Sequence, residues 1–80
     1  MAVRNLYYRV VIYPNDHRPS HAHVMSAEHE AIFELNCPEG PPSLRESYGF
    51  RKATLNLIAS HLQDNLADLC KRWREIHGDY

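Results

Sequence analysis

Two rhythms of apolar and polar residues divide the chain. Residues 5 to 13, Asn-Leu-Tyr-Tyr-Arg-Val-Val-Ile-Tyr, are rich in β-branched and aromatic types, which suit a pleated strand. One face carries Leu6, Tyr8, Val10 and Ile12, the other Tyr7, Arg9, Val11 and Tyr13. Pro14-Asn15-Asp16 then supplies turn chemistry. His21 to Ala27 reads as a second strand, with Ala22 and Val24 on one face and His21, His23 and Met25 on the other. After the polar turn Glu28-His29-Glu30, residues 30–36 read as a third strand with Ala31, Phe33 and Leu35 inward. Short strands with tight links predict an antiparallel β-meander over residues 1–36.

The second rhythm begins beyond a loop. Residues 37–50 hold three of the five prolines and two of the three glycines. A short extended piece around Ser43–Glu46 is a candidate fourth strand; Ser43-Leu-Arg-Glu46 also fits a helix capping box. The preferred helix start lies near Phe50–Arg51. From there Leu55, Ile58, Leu62, Leu66, Leu69, Trp73 and Ile76 recur at intervals of 3 and 4, which draws one continuous apolar stripe along a helix over 51–77. Gly78 suits its C-terminal cap. The predicted fold is α+β in a single domain, residues 1–80: a small three-stranded antiparallel sheet, the candidate fourth strand, and one long C-terminal amphipathic helix.

Lengths make that arrangement uneven. A helix over 51–76 runs ~39 Å, whereas strands of six or seven residues span ~20–24 Å. Leu69, Trp73 and Ile76 therefore need cover. Either the helix breaks near His61–Asn65 and folds back, or a second subunit or partner covers it. The unbroken stripe favours the partner, and marks these three residues as its interface.

Composition bounds the function. Eighty residues form one small domain that buries only ~60–65% of its unfolded surface. No apolar run approaches the ~20 residues of a membrane span, and Met-Ala-Val-Arg-Asn does not open a signal peptide, so a cytoplasmic location is expected. Cys37 and Cys70 are too few for a disulfide framework and are expected to be reduced there, with Cys70 a small packing residue on the helix. Nine Lys/Arg stand against ten Asp/Glu. That balance lacks the basic footprint of a dedicated nucleic-acid binder, and no helix-turn-helix pair is evident. Lys71, Arg72 and Arg74 complement the dipole at the helix end.

The chemically loaded stretch is Asn15-Asp16-His17-Arg18-Pro19-Ser20-His21-Ala22-His23. On a strand, His21 and His23 stand on one face with Cα atoms ~6.5–7 Å apart. His17, one turn earlier, is a candidate third metal ligand. Asp16 is a candidate base, or coordinates, or orients an imidazole. Neutral imidazoles suit a divalent transition metal such as zinc. Two other readings of the same residues stay open: a solvated polar turn, and a contact to phosphate or an acid/base role for histidine. His61 reads as a half-buried packing residue, His29 as turn, and Trp73 as a core anchor.

Pro19-Ser-His21-Ala-His23-Val24, then Ala31-Ile-Phe33-Glu-Leu35, Tyr48-Gly49-Phe50 and Trp73-Arg-Glu-Ile-His77-Gly78 together resemble a family of small bacterial proteins known only as a domain of unknown function. The resemblance covers nearly the whole chain after the first strand. Ser20 stands where the family usually has a second proline. It implies no reaction, substrate or cofactor. It does imply a partner, since members are often encoded beside another small protein in toxin–antitoxin-like pairs. Two functions follow as expectations. One is an interaction module paired with a small cognate protein or a second copy. The alternative is a small metal-dependent hydrolase or ribonuclease using the His-x-His pair.

Overall fold

The computed structural model describes residues 8–80. Four antiparallel strands form a meander in the order β1-β2-β3-β4. They are β1 (Arg9–Val11), β2 (His21–Met25), β3 (Glu30–Glu34) and β4 (Ser43–Tyr48). Two helices follow, α1 (Lys52–Asp64) and α2 (Leu66–His77). The class is α+β, as predicted. The expected first strand at 5–13 keeps only its centre, and its positions 5–7 lie outside the described residues. The piece at Ser43–Glu46 is a full fourth strand, so its capping-box alternative does not apply. A register shift between Ile32 and Phe33 marks a bulge at Arg45, since Ile32 faces Glu46 and Phe33 faces Leu44.

Strand alternation decides what meets the helices. Ala22 and Val24 of β2, with Ala31 and Phe33 of β3 and Leu35 just beyond it, are all at most 1% exposed. Two adjoining clusters result. Val24, Ala31 and Phe33 meet Ile58 and Leu62 of α1, and Ala22 and Leu35 meet Leu66 and Cys70 of α2. Leu69 packs against both. Gly49 permits the close approach before α1. Its φ is +95°, and a Cβ there would collide with the His29 ring.

The single long helix is corrected to two. Asn65 (φ −113°, ψ 17°) separates α1 from α2 and ends the first. Its side-chain Nδ2 donates to the His61 carbonyl at 2.8 Å, a local hydrogen bond that competes with the helical ladder. The apolar stripe runs on across the break, so periodicity alone carried no sign of it. The expectation of a partner over the stripe is corrected at Trp73, which is fully buried within its own chain. Gly78 (φ 87°) turns the tail back. There the Asp79 carbonyl accepts from Trp73 Nε1 at 2.6 Å, and the Tyr80 carbonyl accepts from Ser20 N at 3.0 Å. Leu69 is half-buried, and only Ile76 of the three stays exposed.

The expectation of two reduced thiols is also corrected. Cys37 and Cys70 form a disulfide with Cα atoms 5.7 Å apart. Cys70 points inward from α2 beside Leu35, and the Cys37 loop leaves the third strand at that point. The two cysteines are 33 positions apart, and their pairing is a product of this packing rather than of any local motif. Among the described residues no helix is long and apolar enough to cross a membrane.

Candidate metal centre

The alternation that buries Ala22 and Val24 sends His21 and His23 to the opposite face of the strand, where the C-terminal end of α2 lays Trp73 against His21. The segment between β1 and β2 folds over that face. Its turn is closed twice: Asp16 N–H donates to the Tyr13 carbonyl at 3.1 Å, and Tyr13 N–H donates to Asp16 Oδ2 at 3.0 Å. With Oδ2 occupied, Oδ1 is left facing the imidazoles. His23 Nε2 lies 3.2 Å from Oδ1, and His21 Nε2 lies 3.5 Å from the same oxygen.

The far side of each ring matters equally. His21 Nδ1 sits 2.9 Å from the Pro19 carbonyl. A carbonyl only accepts, so Nδ1 carries the proton there, and in the neutral ring Nε2 presents its lone pair to Asp16. His23 Nδ1 is buried without a hydrogen-bond partner, and the nearest charge is Glu30 Oε2 at 3.5 Å. The rings are wedged in place. Tyr13 meets His23 edge-on at 4.9 Å, His21 lies 5.3 Å from Trp73, and Trp73 stacks on His77 at 3.9 Å. His77 Nε2–H donates to the Tyr13 carbonyl at 3.1 Å and so ties the end of α2 to the turn.

Side-chain exposure is 7% for His21, 14% for His23 and 13% for Asp16. Burial pushes the Asp16 carboxyl up. The Tyr13 amide, the His23 hydrogen bond and positive charge on His23 and His21 outweigh that, leaving it below its ordinary value. The site thus holds an anionic carboxylate against two imidazoles.

Asp16, His21 and His23 each place one ligand atom within 4.8 Å of the others. A four-coordinate ion with bonds of about 2.0–2.1 Å spaces neighbouring donors about 3.3 Å apart. The two measured edges, 3.2 and 3.5 Å, bracket that spacing. A two-histidine, one-carboxylate set is a recurring donor set for zinc and for iron(II).

Of the sequence candidates, His21 and His23 are brought together. Asp16, the candidate base, joins them, with Oδ1 facing both Nε2 atoms. His17 is exposed and outside the cluster. Trp73 forms a wall of the site, whereas Leu69 and Ile76 take no part in it. His61 is exposed rather than half-buried and shares a 2.6 Å hydrogen bond with the Tyr8 hydroxyl, whose pKa burial raises. His29 is half-buried 5.3 Å from Phe50. Sequence reasoning missed Glu30. The signal was the tight β2–β3 hairpin, which pairs Met25 with Glu30 and His23 with Ile32 and sets Glu30 diagonal to His23 on one face.

Residues 8–74 match the family model described as a domain of unknown function (DUF4160). No curated protein and no solved structure matches the chain.

Proposed function

The chain belongs to the DUF4160 family, and from that premise we propose that it binds one divalent transition metal ion, such as zinc, through Asp16 Oδ1, His21 Nε2 and His23 Nε2, for metal-assisted hydrolysis. One observation carries the reading: both Nε2 atoms converge on a single carboxylate oxygen, and the Nδ1 atoms point away, to a carbonyl and toward a second carboxylate. Metal-bound histidines are held in that manner, with the outer nitrogen donating to an acceptor. Three protein donors leave a tetrahedral ion one position for water or substrate. A bound zinc ion lowers the pKa of its water to about 7 and polarises a carbonyl or phosphoryl oxygen. Asp16 is then a ligand rather than the base.

Metal analysis of the purified chain, with thermal unfolding in added zinc or cobalt, tests the reading. One equivalent of metal bound by the wild type, with stabilisation that grows with metal concentration and is lost in His21→Ala/His23→Ala, supports it. Absence of both binding and stabilisation in the wild type removes it. Metal-dependent cleavage of RNA or of an activated ester, abolished in Asp16→Ala, tests the hydrolytic part.

A second reading retains the expected interaction module, with a small cognate protein or a second copy as partner. It draws on β4, which forms the rim of the described sheet and carries Leu44 at 47% and Tyr48 at 61% exposure. Exposed strand edges are templates for pairing. Light scattering after size exclusion tests the second copy. A two-chain mass that falls to one chain in Tyr48→Lys supports it, and a monomer at every concentration removes it.

A further inference from the structure

The orphaned nitrogen of His23 points to a further residue of the site. We propose that Glu30 is a positioning residue that selects the Nδ1–H form of His23 and so presents its Nε2 lone pair to the metal. This rests on the metal-binding reading above.

A neutral imidazole carries one N–H. If His23 holds it on Nε2, Asp16 Oδ1 at 3.2 Å is satisfied, but a bare Nδ1 lone pair faces Glu30 Oε2 at 3.5 Å. If His23 holds it on Nδ1, Glu30 gains a donor, but the Nε2 lone pair then faces Asp16. The lone pair of His21 Nε2 already faces that oxygen, because Pro19 takes its Nδ1 proton. Neither form satisfies every atom of a cluster that is at most 14% exposed at His21, His23 and Asp16. Positive charge among the two Nε2 atoms and Oδ1 resolves the conflict, either as a second proton on each ring or, in the metal-bound site proposed above, as the metal ion. Both lone pairs and the carboxylate then meet positive charge, and both Nδ1 protons have acceptors.

The two acceptors differ in kind. Pro19 offers a carbonyl that is part of the turn itself. Glu30 offers a carboxylate on a flexible stem, 44% exposed, at the first position of β3. It lies diagonal to His23, because β2 and β3 pair Met25 with Glu30. From 3.5 Å a small change of side-chain torsion closes the distance to the ~2.8 Å of a charge-assisted hydrogen bond. A carboxylate at that place raises the basicity of the ligating imidazole, as a neutral carbonyl does less strongly. Glu30 is the only carboxylate paired with His23 besides Asp16 among the described residues.

The test is zinc titration of wild type, Glu30→Gln, Glu30→Asp and Glu34→Gln, with ¹⁵N NMR of the imidazoles in the zinc-loaded wild type and Glu30→Gln. Glu34 shares strand and face with Glu30 but lies beside Arg45 at 3.6 Å. The expected result is one zinc per chain throughout, with affinity about 10–100-fold weaker in Glu30→Gln. Glu30→Asp recovers part of the loss, and Glu34→Gln matches the wild type. His23 Nδ1 is protonated in the zinc-loaded wild type, and its N–H resonance shifts in Glu30→Gln. Equal affinity of wild type and Glu30→Gln, or a zinc-loaded His23 with a bare Nδ1, overturns the role of Glu30 while leaving the metal site standing. A wild type that binds no zinc overturns both.

Discussion

β2 serves two faces with opposite demands. Toward the helices it presents Ala22 and Val24, both 0% exposed, in contact with apolar side chains of β3, α1 and α2. On the opposite face it presents His21 and His23, held against Asp16 and Glu30, with Trp73 of α2 beside His21. The inner face gains from area removed from water, roughly 25 cal/mol per Å², and tolerates any apolar shape that fills it. The outer face gains little from area. It depends on which nitrogen holds a proton and on tenths of an ångström. A five-residue strand, His21–Met25, thus splits stability from chemistry by alternation alone.

The largest effect is expected from emptying the inner face. Phe33→Ala removes a ring at 1% exposure and is expected to cost about 3–5 kcal/mol, read from urea denaturation. In a chain of 80 residues this abolishes the fold at moderate temperature. Metal alone is not expected to restore it.

Next comes the staple beneath the inner face. Cys37→Ser/Cys70→Ser opens the link across 33 positions and is expected to cost about 2–4 kcal/mol. Unfolding with and without a thiol reductant checks this: the reductant lowers the midpoint of the wild type and leaves the double variant unchanged.

The outer face answers to pH instead. Asp16 has a folded-state pKa below its ordinary value. Its contribution is therefore complete above the unfolded value of about 3.9 and fades as pH falls through the lower folded value. Metal-free Asp16→Asn should be less stable than wild type by about 1–2 kcal/mol near neutrality. The gap should close in acid, as measured by denaturation from neutral pH down to about 3. A gap that widens in acid contradicts the proposed electrostatics.

The smallest effect belongs to the residue that stands aside. His17→Ala, exposed and outside the cluster, is expected to change stability by less than about 0.5 kcal/mol and to leave zinc affinity unchanged. A tenfold weaker affinity would restore His17 to the ligand set.

The contrast between faces also explains what was readable. Period-two alternation assigned Ala22, Val24, Ala31, Phe33 and Leu35 to the core and His21 with His23 to the other side, because side-chain direction on a strand is local geometry. The 3- and 4-residue stripe likewise marked Ile58, Leu62, Leu66 and Trp73, all buried. Gly78 capped the second helix as its position suggested. The choice between Asp16 and His17 was not local. It turned on how the Tyr13–Asp16 turn closes over β2, where one carboxylate oxygen binds the Tyr13 amide and the other faces the imidazoles.

The α+β class, the faces of the strands, the amphipathic helical region and the placing of His21 with His23 on one face are legible in the order of residues alone. These follow from periodicity, which short-range sterics impose on any chain. Packing settled the joining of Cys37 to Cys70, the cover that the tail supplies over Trp73, and the gathering of Asp16 and Glu30 around the histidines. The disulfide joins segments 33 positions apart, whereas the others turn on how a neighbouring turn, hairpin or tail folds back over the element beside it. Packing selects those paths, and periodicity does not register them.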